Sequence, residues 1–222
     1  VDVYLGGGRF VRPGEFEVDG RRLRFSRAVI ATGSRPRKPE IEGMEEAGYL
    51  TNETVFSLTH RPDRLAVIGG GPLGCELAQA FRRLGCEVTI LQRSGQFLHR
   101  EDQDAARVLE DSFRRDGVEV LLNTTATEVR TEDGEKVLRL DEGGEAGSLR
   151  ADRILVGIGR VPNVQGLGLE EAGVEYDERR GVQVDDYLRT SNRNIYAARD
   201  VCLRHKFTNT ADASARIALQ TA

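Results

Sequence analysis

Residues 65–81 read LAVIGGGPLGCELAQAF: an apolar run meets three glycines and then continues with apolar residues at helical spacing. RLAVIG predicts a buried strand. Leu73, Leu77, Ala80, Phe81 and Leu84 predict the inward face of a helix, with Gly85 as its C-terminal cap. EVTILQ, residues 87–92, predicts a second strand. Two strands joined by one helix run parallel, since the crossover returns the chain to the end it started from. Gly69-x-Gly71-x-x-Gly74 occupies the strand-to-helix turn. In such a turn the first glycine permits the tight bend, the second lets a pyrophosphate reach the backbone, and the third lets helix and strand pack closely. The helix start adds unpaired N–H groups facing the phosphates. Gly69, Gly71, Pro72, Leu73 and Gly74 are therefore candidate contacts of a dinucleotide. The plain alternative is a glycine-rich turn that holds no ligand.

The end of the second strand bears on which dinucleotide. An Asp or Glu there holds the ribose 2′-hydroxyl of NAD. This chain has Gln92 followed by Arg93, with His99 and Arg100 close behind. An arginine pairs with a 2′-phosphate in two-pronged fashion, whereas a carboxylate repels it. Gln92 and Arg93 therefore favour NADP(H), with NAD(H) as the alternative.

The rest of the chain frames this unit. VDVYLG, RFV, EFEV and RLRF predict short strands, with a hairpin turn at Asp19-Gly20, and RAVIATGS predicts a buried strand. RPRKPEIEG reads as a connector between domains. Residues 101–115 predict an amphipathic helix facing inward with Ala105, Val108, Leu109, Ser112 and Phe113; its acids come early, its arginines late, and Gly117 stops it. VEVLL, TEVRT and KVLRL predict an antiparallel meander leading into the strand RILVGIG. GVQVD, NIYAA and a helix from Thr210 to Ala222 complete the chain. The class is α/β, a Rossmann-like parallel sheet with an antiparallel meander.

Composition excludes several function classes. Charged residues make up 31% of the 222, with a net charge of −4, so no basic surface awaits nucleic acid. No apolar run approaches the ~20 residues that span a bilayer. Cys75, Cys86 and Cys202 lie in no metal-type spacing, and His60, His99 and His205 are scattered, so neither a metal site nor a nucleophilic triad is expected. Sparse, odd-numbered cysteines suit a reducing compartment, and the expected location is cytoplasmic. Val1 falls inside a predicted strand, so the expectation is a piece of a longer protein.

Four motifs in fixed order carry a family resemblance: ATGSRP at residues 31–36, VIGGGPLGCELA at 67–78, GRVPN at 159–163 and IYAARDV at 195–201. The chain resembles the pyridine nucleotide-disulfide oxidoreductases, flavoproteins with two dinucleotide sites. Its tail KFTNTADASARIALQ is similar to that of mercuric reductase-like members. The resemblance implies an NAD(P)-binding domain at residues 43–163 inserted into an FAD-binding domain, of which residues 1–42 and 164–222 form part. It implies FAD beside Thr32 and Gly33, with Gly8, in the YLGGGRF turn, near the adenine end and Asp200 near the ribityl or phosphate region. It also implies Glu76 near the flavin–nicotinamide contact and Gly159 edging the nicotinamide. The implied reaction carries hydride from NADPH to FAD and electrons onward to a disulfide or metal ion, in a parent that dimerises through a C-terminal domain. The family's FAD pyrophosphate turn and redox Cys-x4-Cys have no counterpart here, and none of the three cysteines can stand in for that pair. The fragment alone is expected to be inactive, and no catalytic residue is assigned. Arg199 stands where the family pattern has glycine, and Asn209 where relatives often have histidine. The rival readings are an NADH oxidase, ferredoxin- or nitrite-reductase type without a redox disulfide, and a non-catalytic nucleotide-binding module.

Overall fold

The computed structural model describes residues 1–221; Ala222, the expected end of the last helix, lies outside them. The chain divides into two compact units, Val1–Arg35 together with the stretch from Arg160 on, and Pro36–Gly159.

The first stretch forms a meander of β1 (Gly8–Arg12), β2 (Glu15–Val18) and β3 (Arg21–Arg24). Asp19 and Gly20 turn β2 into β3 with φ of 46° and 81°, the double positive φ that matches the twist of a two-residue hairpin. The chain continues through β4 (Ala28–Ile30) and β5 (Ser34–Pro36). The strand expected at VDVYLG does not form. Residues 1–6 join no ladder, with a bend at Gly6, and Val1, Val3 and Leu5 are exposed. Alternating apolar residues alone do not make a strand when no neighbour takes up the backbone N–H and C=O groups.

The second unit begins with α1 (Met44–Ala47) and continues through β6 (Arg64–Ile68), α2 (Pro72–Arg83), β7 (Glu87–Gln92), α3 (Gln103–Arg115) and β8 (Glu119–Leu122). A meander of β9 (Thr124–Glu132), β10 (Glu135–Glu142) and β11 (Ala146–Ala151) leads to β12 (Arg153–Val156). The parallel sheet has the order β12-β6-β7-β8. Its strands are apolar on both faces because both faces are covered. Leu65, Val67, Val88, Ile90, Val120 and Leu155 pack with Cys75 and Ala78 of α2 and Phe113 of α3. The alternate residues Ala66, Ile68, Leu91, Ile154 and Val156 pack with Met44 and with Val129, Leu138 and Leu140 of the meander.

Both helices form close to where the sequence places them, and each turns part of the expected face inward: Leu77 and Phe81 of α2 and Leu109 and Phe113 of α3 pack against the core, while other expected residues do not. In α2 the buried residues are Gly74, Cys75 and Ala78, while Leu84 is 68% exposed and Ala80 is exposed. Small side chains let this helix sit close to the sheet, and the larger Leu77 and Phe81 fill the margins. In α3 the inward residues are Ala106 and Phe113, with Leu109 at the edge; Ala105 is exposed and Val108 is 69% exposed. Gly85 (φ 92°) and Gly117 (φ 82°) end α2 and α3 as expected. In each, the residue after the glycine donates back into the helix, Cys86 to Phe81 at 3.0 Å and Val118 to Phe113 at 2.9 Å.

The chain re-enters the first unit through β13 (Arg160–Pro162), followed by β14 (Tyr176–Asp177), β15 (Gly181–Val182), β16 (Ile195–Ala197) and α4 (Thr208–Thr221). GVQVD thus yields a two-residue strand, and the last helix starts two residues earlier than expected. β16 pairs in parallel with β4, and Phe10, Ile30, Leu169, Val174, Ile195 and Val201 form this unit's core.

One ion network braces the second unit. Arg64 Nη2 reaches Glu135 Oε1 at 2.7 Å and Asp152 Oδ1 at 2.8 Å, and Asp152 Oδ2 accepts the Arg64 backbone N–H at 2.8 Å. The Arg64 guanidinium holds the Glu135 carboxyl below its usual range. Burial works against the charge of Asp152, but the Arg64 N–H and guanidinium outweigh it and lower its pKa as well. Carboxylates with lowered folded-state pKa stabilise fully above their ordinary values and lose that contribution as the pH falls. Urea midpoints should therefore be flat above about pH 5 and fall below about pH 4. Arg64→Met should flatten that acid slope; an unchanged slope would remove the network from the account of acid stability.

Candidate nucleotide-binding site

Strand order reverses beside β6, where the chain proceeds to β7 on one side and returns as β12 on the other. Open α/β sheets leave a crevice at the carboxyl ends of such a strand pair. The glycine turn lies there. Gly69 bends with φ 105°, and a Cβ on it would stand 2.7 Å from the Gly157 oxygen beyond β12. A Cβ on Gly74 would run into the Gly69 carbonyl oxygen. These two glycines are explained by protein packing.

Gly71 is not explained that way. It caps α2 with φ −86° and ψ 178°, a backbone any residue adopts, and the nearest atom to an added Cβ is Gly157 O at 3.9 Å. Pro72 follows at the first helical position, where its missing N–H costs nothing. The first helical bond runs from Cys75 N–H to Gly71 O at 3.0 Å. The N–H groups of Gly71, Leu73 and Gly74 have no acceptor among the described residues, and no side chain caps the helix. Three free donors at the positive end of a helix, beside space that a methyl group would fill, suit an anionic group.

Gln92 ends β7 as expected, and its side chain turns inward. It is 6% exposed, and its Oε1 accepts the Gly70 N–H at 2.9 Å. Arg93, His99 and Arg100 are exposed, and their side chains have no hydrogen-bond or ionic partner among the described residues. Glu76 is exposed and stands past the first turn of α2, which holds no acidic residue, so it is not placed to complement the dipole. Gly159 is exposed with φ 105°, and open space surrounds its Cβ position.

In the first unit, Asn163 ties the two motif segments together. Thr32 Oγ1 donates to Asn163 O at 2.8 Å, Asn163 Nδ2 donates to Thr32 O at 2.9 Å, and the Asn163 N–H meets Gly33 O at 2.9 Å. Gly33 has φ 69° and an open Cβ position. Ser34 Oγ donates to Asp200 Oδ2 at 2.7 Å and accepts from Arg160 Nε at 2.6 Å. Lys206 Nζ donates to Asp200 O at 2.8 Å. Burial lowers the Lys206 pKa; Asp200 opposes this and Arg160 reinforces it. Gly8 is in strand β1 and not in a turn, and a Cβ there would stand 2.6 Å from the Phe16 ring. Arg199, an exposed residue, has φ 69° and donates its backbone N–H to Ser214 Oγ at 3.0 Å. The residues expected to serve FAD fit it in part. Asp200 keeps Oδ1 unpaired among the described residues and Gly33 leaves room, while the Thr32 hydroxyl is spent on Asn163 and Arg199 puts a long charged side chain at a glycine conformation.

The thiols are quiet. Burial pushes Cys75 up to about 12, with the Glu76 charge adding to it. Burial likewise pushes Cys86 to about 11, and Cys202 to about 11 against the pull of Lys206. All three keep their protons at neutral pH, and a protonated thiol is a poor nucleophile. Among the described residues no cluster of His, Cys, Asp or Glu is arranged to hold a metal.

Sequence reasoning missed Gly70, Gly157, Ser34 and Arg160. Ser34 and Arg160 belong to the ATGSRP and GRVPN motifs, and the middle glycine of the GGG run is the local signal for Gly70. Nothing local marked Gly157, whose role depends on the return of β12.

A family model described as pyridine nucleotide-disulphide oxidoreductase matches residues 1–216. The mercuric reductase of Staphylococcus aureus is 36% identical over 206 residues, covering 93% of this chain and 38% of that protein. The mercuric reductase of Acidithiobacillus ferrooxidans is 42% identical over 194 residues, 87% of this chain and 35% of that one. The dihydrolipoyl dehydrogenase of Thermus scotoductus is 37% identical, with coverage of 93% and 46%. The solved structure of the HOCl-induced flavoprotein disulfide reductase RclA from Escherichia coli superposes with a TM-score of 0.90 at 29% identity, covering 97% of this chain and 49% of that one. The chain spans less than half the length of each.

The glycines of the turn should separate in a stability test. Gly71→Ala should leave the unfolding free energy within about 0.5 kcal/mol, as at an open surface site. Gly74→Ala should cost about 1–3 kcal/mol from overpacking against β6. Equal costs by urea denaturation would mean that Gly71 is also held by protein contacts.

Proposed function

The chain belongs to the pyridine nucleotide-disulphide oxidoreductase family of FAD- and NAD(P)-dependent enzymes, and from that premise we propose that its second unit is the NADP(H)-binding domain. The observation that carries this reading is the vacant side of Gly71 beside three unpaired N–H groups at the strand-order reversal. The pyrophosphate occupies that turn, held by the N–H groups of Gly71, Leu73 and Gly74, with Gly69 shaping the bend and Pro72 starting the helix. Arg93, exposed and unpartnered just past β7, takes the 2′-phosphate, with His99 and Arg100 adding positive charge. Glu76 and Gly159 border the nicotinamide.

The first unit is part of the FAD-binding domain, in which Gly33 and Asp200 would face the cofactor. Flavin, when bound, supplies the two-electron chemistry between nicotinamide and acceptor. This chain's residues then bind and orient: Arg160 and Ser34 fix the Asp200 carboxylate, and Asn163 fixes the turn at Thr32 and Gly33. In the whole protein the reaction is NADPH-dependent reduction of a disulfide or a metal ion, in a homodimer. Relatives named mercuric reductase support the metal-ion alternative. A non-catalytic nucleotide-binding module is the second reading, favoured by Arg199 in its left-handed conformation.

Calorimetric titration tests the assignment. NADPH should bind more tightly than NADH, and Arg93→Ala should weaken NADPH about tenfold, the loss expected for a hydrogen bond to a charged group, while leaving NADH nearly unchanged. Absence of binding by either nucleotide would refute the cradle; tighter NADH binding would overturn only the 2′-phosphate assignment.

A further inference from the structure

Gln92 occupies the position where a carboxylate would read the ribose, yet its side chain turns away from solvent and into the glycine turn. Its Oε1 must be the atom that meets Gly70, because Gly70 offers an N–H, here at 2.9 Å. The amide NH2 then faces two acceptors, the Ser94 hydroxyl and the Gln96 carbonyl, the latter at 3.4 Å. Ser94 Oγ in turn donates to Gln96 O at 3.0 Å. The loop after β7 grips Gly70 from its other side as well. Leu98 N–H donates to Gly70 O at 3.3 Å, and the Phe97 ring, fully buried, lies 3.3 Å from where a Gly70 Cβ would be.

Gly70 therefore has both of its backbone polar groups spent, one on the end of β7 and one on the loop after it, while the neighbouring Gly71 has a free N–H. The Gly71 N–H shares its peptide plane with the Gly70 carbonyl that Leu98 holds, and Gln92 sets the preceding plane through the Gly70 N–H while tying down, at Ser94 and Gln96, the loop that carries Leu98. We propose that Gln92 is a positioning residue of the phosphate cradle and not a reader of the ribose: it locks Gly70 so that the Gly71, Leu73 and Gly74 donors converge on the pyrophosphate. The lock is specific to an amide. One end must accept and the other must donate, which leucine cannot do at all and an ionised glutamate does only at the accepting end. The choice between the two nicotinamide nucleotides then falls to exposed groups such as Arg93.

This inference rests on the cradle reading above, and its test is built to fail separately. Titrate the chain and its Gln92→Leu and Gln92→Glu variants with NADP+, NAD+ and adenosine 2′-monophosphate, which has no pyrophosphate. Gln92→Leu should weaken NADP+ and NAD+ by the same factor, about tenfold for the loss of an oriented donor set, and leave the monophosphate unchanged in ligand-observed NMR. Gln92→Glu should recover both dinucleotides as the pH is lowered, because a neutral carboxyl again accepts at one oxygen and donates from the other. A Gln92→Leu loss confined to NADP+, no loss at all, or an equal loss for the monophosphate would overturn the proposal. So would a Gln92→Glu variant that switches preference to NAD+. Failure of the unsubstituted chain to bind NADP+ would overturn the cradle reading along with it.

Discussion

The second unit depends on how closely α2 approaches the end of β6. Gly74 meets the Gly69 carbonyl with no room for a side chain between them, and that approach sets where the helix begins and where its first N–H groups point. The buried face of α2 follows from the same contact. A helix seated this near a sheet presents Gly, Cys and Ala to it and pushes leucines to the rim. The pairing of β12 beside β6 closes the arrangement, because Gly157 brings a second strand end against the turn.

Much of this was legible in the sequence, for a physical reason. Strands buried on both faces are continuous apolar runs, and helix caps need particular residues, so RLAVIG, EVTILQ, Gly85 and Gly117 announced themselves locally. Apolar spacing marked Leu77, Phe81, Leu109 and Phe113 on the inward faces of α2 and α3, but not the small residues Cys75, Ala78 and Ala106, since the partner surface decides whether bulk or closeness is wanted. VDVYLG misled for a related reason: a strand is completed by its neighbour, and the sequence of the strand does not contain the neighbour. At the candidate site the strand-to-helix turn at the glycines was readable and the direction of Gln92 was not. Position at a strand end predicts reach toward a ribose, but a buried N–H left by a glycine turn offers the amide a better partner.

The first unit illustrates how motifs can be recognised without their geometry. ATGS and GRVPN are far apart in sequence, yet Asn163 and Arg160 stitch them together through Thr32, Gly33 and Ser34. Asp200 gains its orientation from that stitching. Arg199 is the discordant residue, since a left-handed backbone on a side-chain-bearing residue costs roughly 1–2 kcal/mol that glycine would not incur. Its backbone bond to Ser214 of α4 holds it there.

The state of the three cysteines has a practical side. Sulfur that keeps its proton near neutrality is slow toward peroxides, alkylating agents and disulfide exchange. The burial that holds those protons in place therefore also shields Cys75, Cys86 and Cys202 from such reagents.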